Sequence, residues 1–100
     1  MKKVFLAPQA RRELRAAMHR YERERIGAGR DLLLAVETAL ERIREGPHTF
    51  PRWHDEKPYR RLLVPRFKFS IFYRERDADV VVLAVAHPSR RPGYWLGRDR

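Results

Sequence analysis

Between Ala86 and Trp95 the chain runs Ala-His-Pro-Ser-Arg-Arg-Pro-Gly-Tyr-Trp, placing a histidine, two arginines and two aromatics in one turn-rich stretch. Residues of these types can act on a phosphodiester. If the substrate is RNA, attack of a 2′-hydroxyl on its neighbouring phosphate needs a base, an acid for the leaving 5′-oxygen and positive charge over the phosphorane. His87 is the proton carrier of the group near neutral pH, and Tyr94 joins it if nearby cations lower its pKa. Arg61, Arg66, Arg90 or Arg91 would hold the anion, since arginine stays protonated and cannot serve as a base. A second use of the same residues is binding, with guanidinium groups beside aromatic faces. A third is packing: Tyr94 and Trp95 cover one end of a core while the arginines face solvent.

A second basic stretch, KPYRRLLVPRFK over residues 57–68, carries Lys57, Arg60, Arg61, Arg66 and Lys68 without an acid. It forms either an anion-binding groove or a strand edge protected by charge. The whole chain of 100 residues has 23 Lys and Arg against 13 Asp and Glu, a net charge of +10, and 19 of the 23 bases are arginine. Both halves are basic, at +4 and +6, so no tail accounts for the excess. Arginine grips phosphate or carboxylate in a planar fork, which points to nucleic acid or an acidic protein as partner.

Other chemistries find little support. Without cysteine there is no disulfide scaffold, thiolate zinc site or cysteine nucleophile. His48, His54, Asp55 and Glu56 lack zinc-ligand spacing, so no metal is expected, and with no P-loop or dinucleotide fingerprint no cofactor is expected either. The sequence has neither a long apolar run nor a basic start leading into an apolar stretch, so the expected location is the cytoplasm, without membrane association.

The elements that must position these groups follow from periodicity. Lys3 to Ala7 is a short strand closed by Pro8, which suits the first turn of a helix. From Pro8 to about Ile26, Ala10, Leu14, Ala17, Met18 and Tyr21 recur at helical spacing. Arg11, Arg12, Arg15, Arg20, Glu22, Arg23 and Glu24 fall mostly on the other side, with Glu13, Glu22 and Glu24 interrupting the basic run. Gly27-Ala28-Gly29 is a turn into a second helix from about Arg30 to Glu45, striped by Leu32, Leu33, Val36, Ala39, Leu40 and Ile43 and stopped by Gly46-Pro47. Residues 47–58 form an irregular loop anchored by Phe50 and Trp53. The period then changes to two, with Leu62 and Val64 alternating before Pro65 and Phe67, Phe69, Ile71 and Tyr73 after it. Residues 75–79 make a hairpin turn into Val80–Ala86, which is apolar on both faces and therefore central in its sheet.

The ordered pattern of strand, Pro8-started helical hairpin, Gly46-Pro47, YRRLLVPRFKFSIFY, DVVVLAVAH and RRPGYWLGR resembles the RelE/ParE toxin superfamily over nearly the whole chain. The resemblance implies the toxin of a type II toxin–antitoxin pair, held inactive by an acidic or amphipathic antitoxin in a hetero-oligomer. A charge of +10 suits such a partner. RelE-like members cut messenger RNA on the ribosome, and ParE-like members poison DNA gyrase. On the RelE-like pattern Tyr94 matches the nuclease tyrosine, Arg90 lies in the basic terminal segment and His87 stands where a basic residue is common. The arginine expected on the strand before the hairpin falls instead near Pro65, between Arg61 and Arg66. Phe67–Tyr73 and the AVAHPSRRPGYW ending look more ParE-like.

The expectation is one α+β domain over residues 1–100, with a helical hairpin on one face of a mostly antiparallel sheet and the C-terminal segment near the other. Its core is expected to hold Leu14, Met18, Leu33, Val36, Leu40, Phe69, Ile71, Val82 and Ala84. The expected function is a ParE-like toxin inhibiting a protein target such as DNA gyrase. The competing functions are a ribosome-dependent, metal-independent endoribonuclease and a non-toxic nucleic-acid-binding module. His87, Tyr94, Arg61 and Arg90 are the candidate catalytic groups for the nuclease, and Arg60, Arg66, Lys68, Arg91, Trp95 and Arg98 are the candidate target or nucleic-acid contacts.

Overall fold

A computed structural model describes residues 1–99. Strand β1 (Lys3–Leu6) leads into helices α1 (Pro8–Glu24) and α2 (Ala28–Glu45), followed by strands β2 (Tyr59–Leu63), β3 (Ser70–Glu75) and β4 (Asp79–Ala86) and a short 3-10 turn at Leu96–Arg98. The sheet order is β1-β4-β3-β2. β1 runs parallel to β4, with Val4 opposite Val80, while the β2/β3 and β3/β4 pairs are antiparallel.

The helical hairpin covers one face of this sheet. α1 buries Ala10, Leu14 and Ala17, and the two alanines let its backbone sit close to the strands. α2 buries Leu32, Val36, Ala39 and Ile43 against Ile71, Tyr73, Val80, Val82 and Val85. Met18, Leu33 and Leu40 are only half-buried at the rim of this core. α2 begins at Ala28, two residues before the sequence-based start, because Glu22 of α1 accepts hydrogen bonds from the backbone amides of Gly27 and Gly29. That carboxylate satisfies amides that a helix start leaves without intrahelical partners.

β4 is central, with neighbours on both edges and apolar layers on both faces. The pairing slips where Phe72 faces Ala84 but Tyr73 faces Val82, so Leu83 is the extra residue of a β-bulge. Consecutive Leu83 and Ala84 consequently both join the layer away from the helices, while Val82 and Val85 join the helical core. Ala84 is buried as expected, but on the opposite face from the other expected core residues.

Two further differences from the sequence reading have local causes. The alternation from Phe67 onward suggests a strand there, yet Pro65–Lys68 is a turn in which Arg66 (φ 73°) and Lys68 (φ 61°) are left-handed, and the amide of Lys68 donates to the carbonyl of Val64. The strand starts only at Ser70. The loop at 47–58, for its part, folds over the outer edge of β2. Its Arg52 bridges Arg60, the Trp53 amide donates to Tyr59 and the Pro51 carbonyl accepts from Arg61. Backbone pairing therefore covers most of that edge, and Phe50 and Trp53 pack on opposite sides of the sheet.

Gly29 marks a close approach of the two helices: a Cβ there would lie 2.7 Å from the backbone oxygen of Met18, whereas Gly97 has open space around it. Gly29→Ala is expected to lower stability by about 1–3 kcal/mol through overpacking. Gly97→Ala is expected to be neutral, and urea unfolding of the two variants beside the parent chain checks the difference.

Candidate functional site

The face of the sheet opposite the helices is closed by the C-terminal segment. Trp95, with no exposed surface, stacks on Phe72 at 4.8 Å and meets Tyr59 and Trp53 edge-on at 4.9 and 5.1 Å. Gly93 makes the turn that delivers it, with φ 76° and the Trp53 ring 3.2 Å from where a Cβ would stand. Tyr59 and Arg74 both donate to the carboxylate of Asp99, at 2.8 and 2.7 Å, fastening the far end of the segment.

The near end is fastened by Glu13 of α1. Its Oε1 accepts from the Val85 amide at 3.1 Å and from Arg98 Nη1 at 2.8 Å. Oε2 accepts from the Tyr94 hydroxyl at 2.5 Å and Arg98 Nη2 at 3.2 Å. Arg90 approaches the same oxygen to 3.8 Å, and its guanidinium lies 3.8 Å over the Tyr94 ring. Arg98 donates further to the Leu83 carbonyl, which ties the terminal turn to the bulge in β4.

Two clefts open beside this tie. One, of about 330 Å³, runs between α1 and the end of β4 and is lined by Glu13, Arg20, Phe69, His87, Ser89 and Arg90 among others. The second, of about 290 Å³, lies under the C-terminal segment, where Arg61, Lys68, Ser70, His87, Arg90, Arg91 and Tyr94 converge. His87 and Arg90 form the wall between them. Exposed residues from β2, the Pro65–Lys68 turn and the segment after β4 are thus brought together, although up to 30 positions separate them in sequence. Arg61 is steadied by donating Nε–H to Ser70 Oγ at 2.9 Å. His87 Nδ1 accepts from the Ser89 amide at 3.1 Å, which puts the proton of the neutral ring on Nε2.

Four of the sequence-selected residues lie elsewhere or are already engaged. Arg60, one position from Arg61, has the opposite strand parity and donates to the Phe50 carbonyl at 2.8 Å. Arg66 stands over the Phe67 ring in the turn and does not line the clefts. Arg98 is consumed by Glu13 and Leu83, and Trp95 is internal. The condition set for Tyr94, that nearby cations lower its pKa, is not met: they pull it down, but the net shift is upward. Burial first, then the hydrogen bond to Glu13, push the hydroxyl above its usual value, and the lowering influence of Arg98 and Arg90 does not compensate. A tyrosine that donates to a carboxylate and resists ionisation is poorly suited to proton abstraction.

Sequence reasoning missed Glu13 as a functional residue, treating it as a break in a basic run. A usable signal was present: Glu13 stands three residues after Ala10 and four before Ala17, which puts an acid on the buried stripe of α1. Asp99, Ser70 and Ser89 carried no comparable signal.

A model of the family described as the ParE toxin of type II toxin–antitoxin system, parDE, matches residues 4–92. The chain belongs to this family. Its fold is also that of a solved chain titled "Chromosomal ParDE TA system from P. aeruginosa", with a TM-score of 0.64 and 19% identity, covering 87% of this chain and 96% of that one. No curated protein matches it. The matched span runs from β1 through the two clefts to Pro92, whereas Tyr94 and Arg98, which complete the Glu13 tie, lie just beyond it.

The buried Tyr73 and half-buried Tyr94 give this ParE-family toxin a defined alkaline response. Burial raises Tyr73 from 10 to about 12, and Tyr94 is raised as well. Folded values above the unfolded one mean that the stabilising contribution of both is complete below pH 10 and declines as pH rises above it, that of Tyr73 being lost through about 12. Urea midpoints measured at rising alkaline pH are expected to fall over that window, with a shallower fall in Tyr94→Phe.

Proposed function

We propose that this toxin arrests growth by gripping a protein target such as DNA gyrase through the two-cleft basic face, and that a cognate antitoxin neutralises it in a cytoplasmic hetero-oligomer. The observation that carries this reading is the state of Tyr94. Arg61, Lys68, Arg90 and Arg91 supply charge around the clefts, but the tyrosine best placed for proton transfer is bound to Glu13 and harder to ionise than in water. What remains is a surface for holding an anion rather than a matched acid and base for cleaving one. Family membership supports the toxin role and the antitoxin partner. The exposed arginines suit carboxylates on either protein partner, because a guanidinium meets a carboxylate with two parallel hydrogen bonds.

Controlled expression in bacteria, with growth curves, transcript-end mapping and a gyrase supercoiling assay, tests the reading. Arrest is expected with intact messages, inhibited supercoiling and DNA-damage signalling, and it should persist in Tyr94→Phe. Reversing charge in Arg61→Glu/Arg91→Glu should relieve arrest and weaken target binding about tenfold or more, ~1.4 kcal/mol, with an unchanged circular dichroism spectrum. New cuts within translated messages that vanish in Tyr94→Phe or His87→Ala would overturn the reading in favour of the ribonuclease.

A further inference from the structure

The donors around Glu13 have the composition of an oxyanion site. A backbone amide (Val85), a phenolic hydroxyl (Tyr94) and both terminal nitrogens of Arg98 converge on the two carboxylate oxygens, and a second guanidinium (Arg90) stands 3.8 Å away. These donors come from β4 and the C-terminal segment, whereas the acceptor is delivered from α1, so the nest and its occupant belong to different elements. The occupant carries one negative charge against two guanidinium groups. A dianion would balance the pair more fully. The position is also reachable: the carboxylate side chain keeps 16% of its surface and lines the 330 Å³ cleft beside Ser89, His87 and Arg90.

We infer that Glu13 is a resident ligand that fills, from within the chain, a nest built to hold an external oxyanion of the phosphate or carboxylate type. Its carboxylate keeps such groups out of the place where Tyr94, Arg90 and Arg98 meet. External anions are left to the outer cations Arg61, Lys68 and Arg91. Glu13 thereby sets the specificity of the basic face, separating a surface that docks a target from a pocket that encloses a phosphate. The inference is independent of which target the toxin has, because it concerns an equilibrium of the purified chain.

Emptying the nest tests it. Thermal unfolding of the full-length Glu13→Ala variant and the parent chain is compared in sodium chloride, phosphate and acetate at matched ionic strength. Phosphate at about ten times its dissociation constant is expected to raise the variant's Tm by about 5–10 °C over chloride, with a much smaller rise in the parent chain. A rise in acetate as well identifies general oxyanion chemistry, and a rise in phosphate alone identifies a phosphate site; both support the inference. In Glu13→Ala/Arg98→Gln the rise should disappear. Should Glu13→Ala be unfolded in chloride, recovery of its circular dichroism on adding phosphate or acetate becomes the readout, with Glu13→Gln, which fills the nest without a charge, as the control that added anion should not rescue. An anion response no larger than that of the parent chain, no recovery in any oxyanion, or a rise that survives loss of Arg98 overturns the inference.

Discussion

Strand β4 must be kept dry on both faces, and most of the architecture answers to that requirement. Val80, Val82 and Val85 look toward the helices while Leu83, Ala84 and Ala86 look away from them, so a single covering layer would leave several apolar side chains in water. Burial of the valine and leucine side chains contributes about 1.5–3 kcal/mol each, a large fraction of the stability of a small domain. The helical hairpin supplies one layer. Too little regular structure remains for the other, and the segment after β4 turns back at Gly93 to lay Trp95 over it. The clefts open where that cover meets the sheet.

The shortage of acids gives each one unusual weight. Glu13 ties α1 to the C-terminal segment, Asp99 ties that segment to β2 and β3, Glu22 joins the two helices, and Asp79 closes the β3–β4 turn onto Arg76. Glu22 and Asp79 make their ties at the surface, whereas Glu13 and Asp99 are largely enclosed. Exposed pairs such as Arg25–Asp31 and Arg44–Glu41 add little stability. The half-buried Glu13 tie is different, because removing the carboxylate would leave the largely enclosed Arg98 guanidinium without its counter-charge.

Much of the fold was legible because periodicity reports burial directly. The helical stripes of α1 and α2 and the doubly apolar β4 each have a burial pattern that a one-dimensional reading recovers. The Pro65–Lys68 turn was hidden because Phe67 and Phe69 keep the alternation of a strand while the backbone between them turns left-handed. Parity along β2 correctly separates Arg60 from Arg61, but only the folded sheet shows that Arg61, Lys68, His87, Arg90 and Arg91 line a common cleft. Glu13 was obscured by its neighbours: among Arg11, Arg12 and Arg15 it resembles one charge in a solvated run, and its partners lie more than 70 positions away.

That separation governs the order in which the molecule can be completed. β1 pairs with β4 through Val4 opposite Val80, and α1 reaches the C-terminal segment through contacts between residues 81 and 85 positions apart. The hairpin α1–α2 and the meander β2–β3–β4 are local and can form early, but joining the first strand to the fourth closes a loop through most of the chain. The Glu13 tie and the cleft between α1 and β4 are therefore completed late, when this loop closes. A chain still being made on the ribosome displays Glu13 long before Tyr94 and Arg98 exist to bind it.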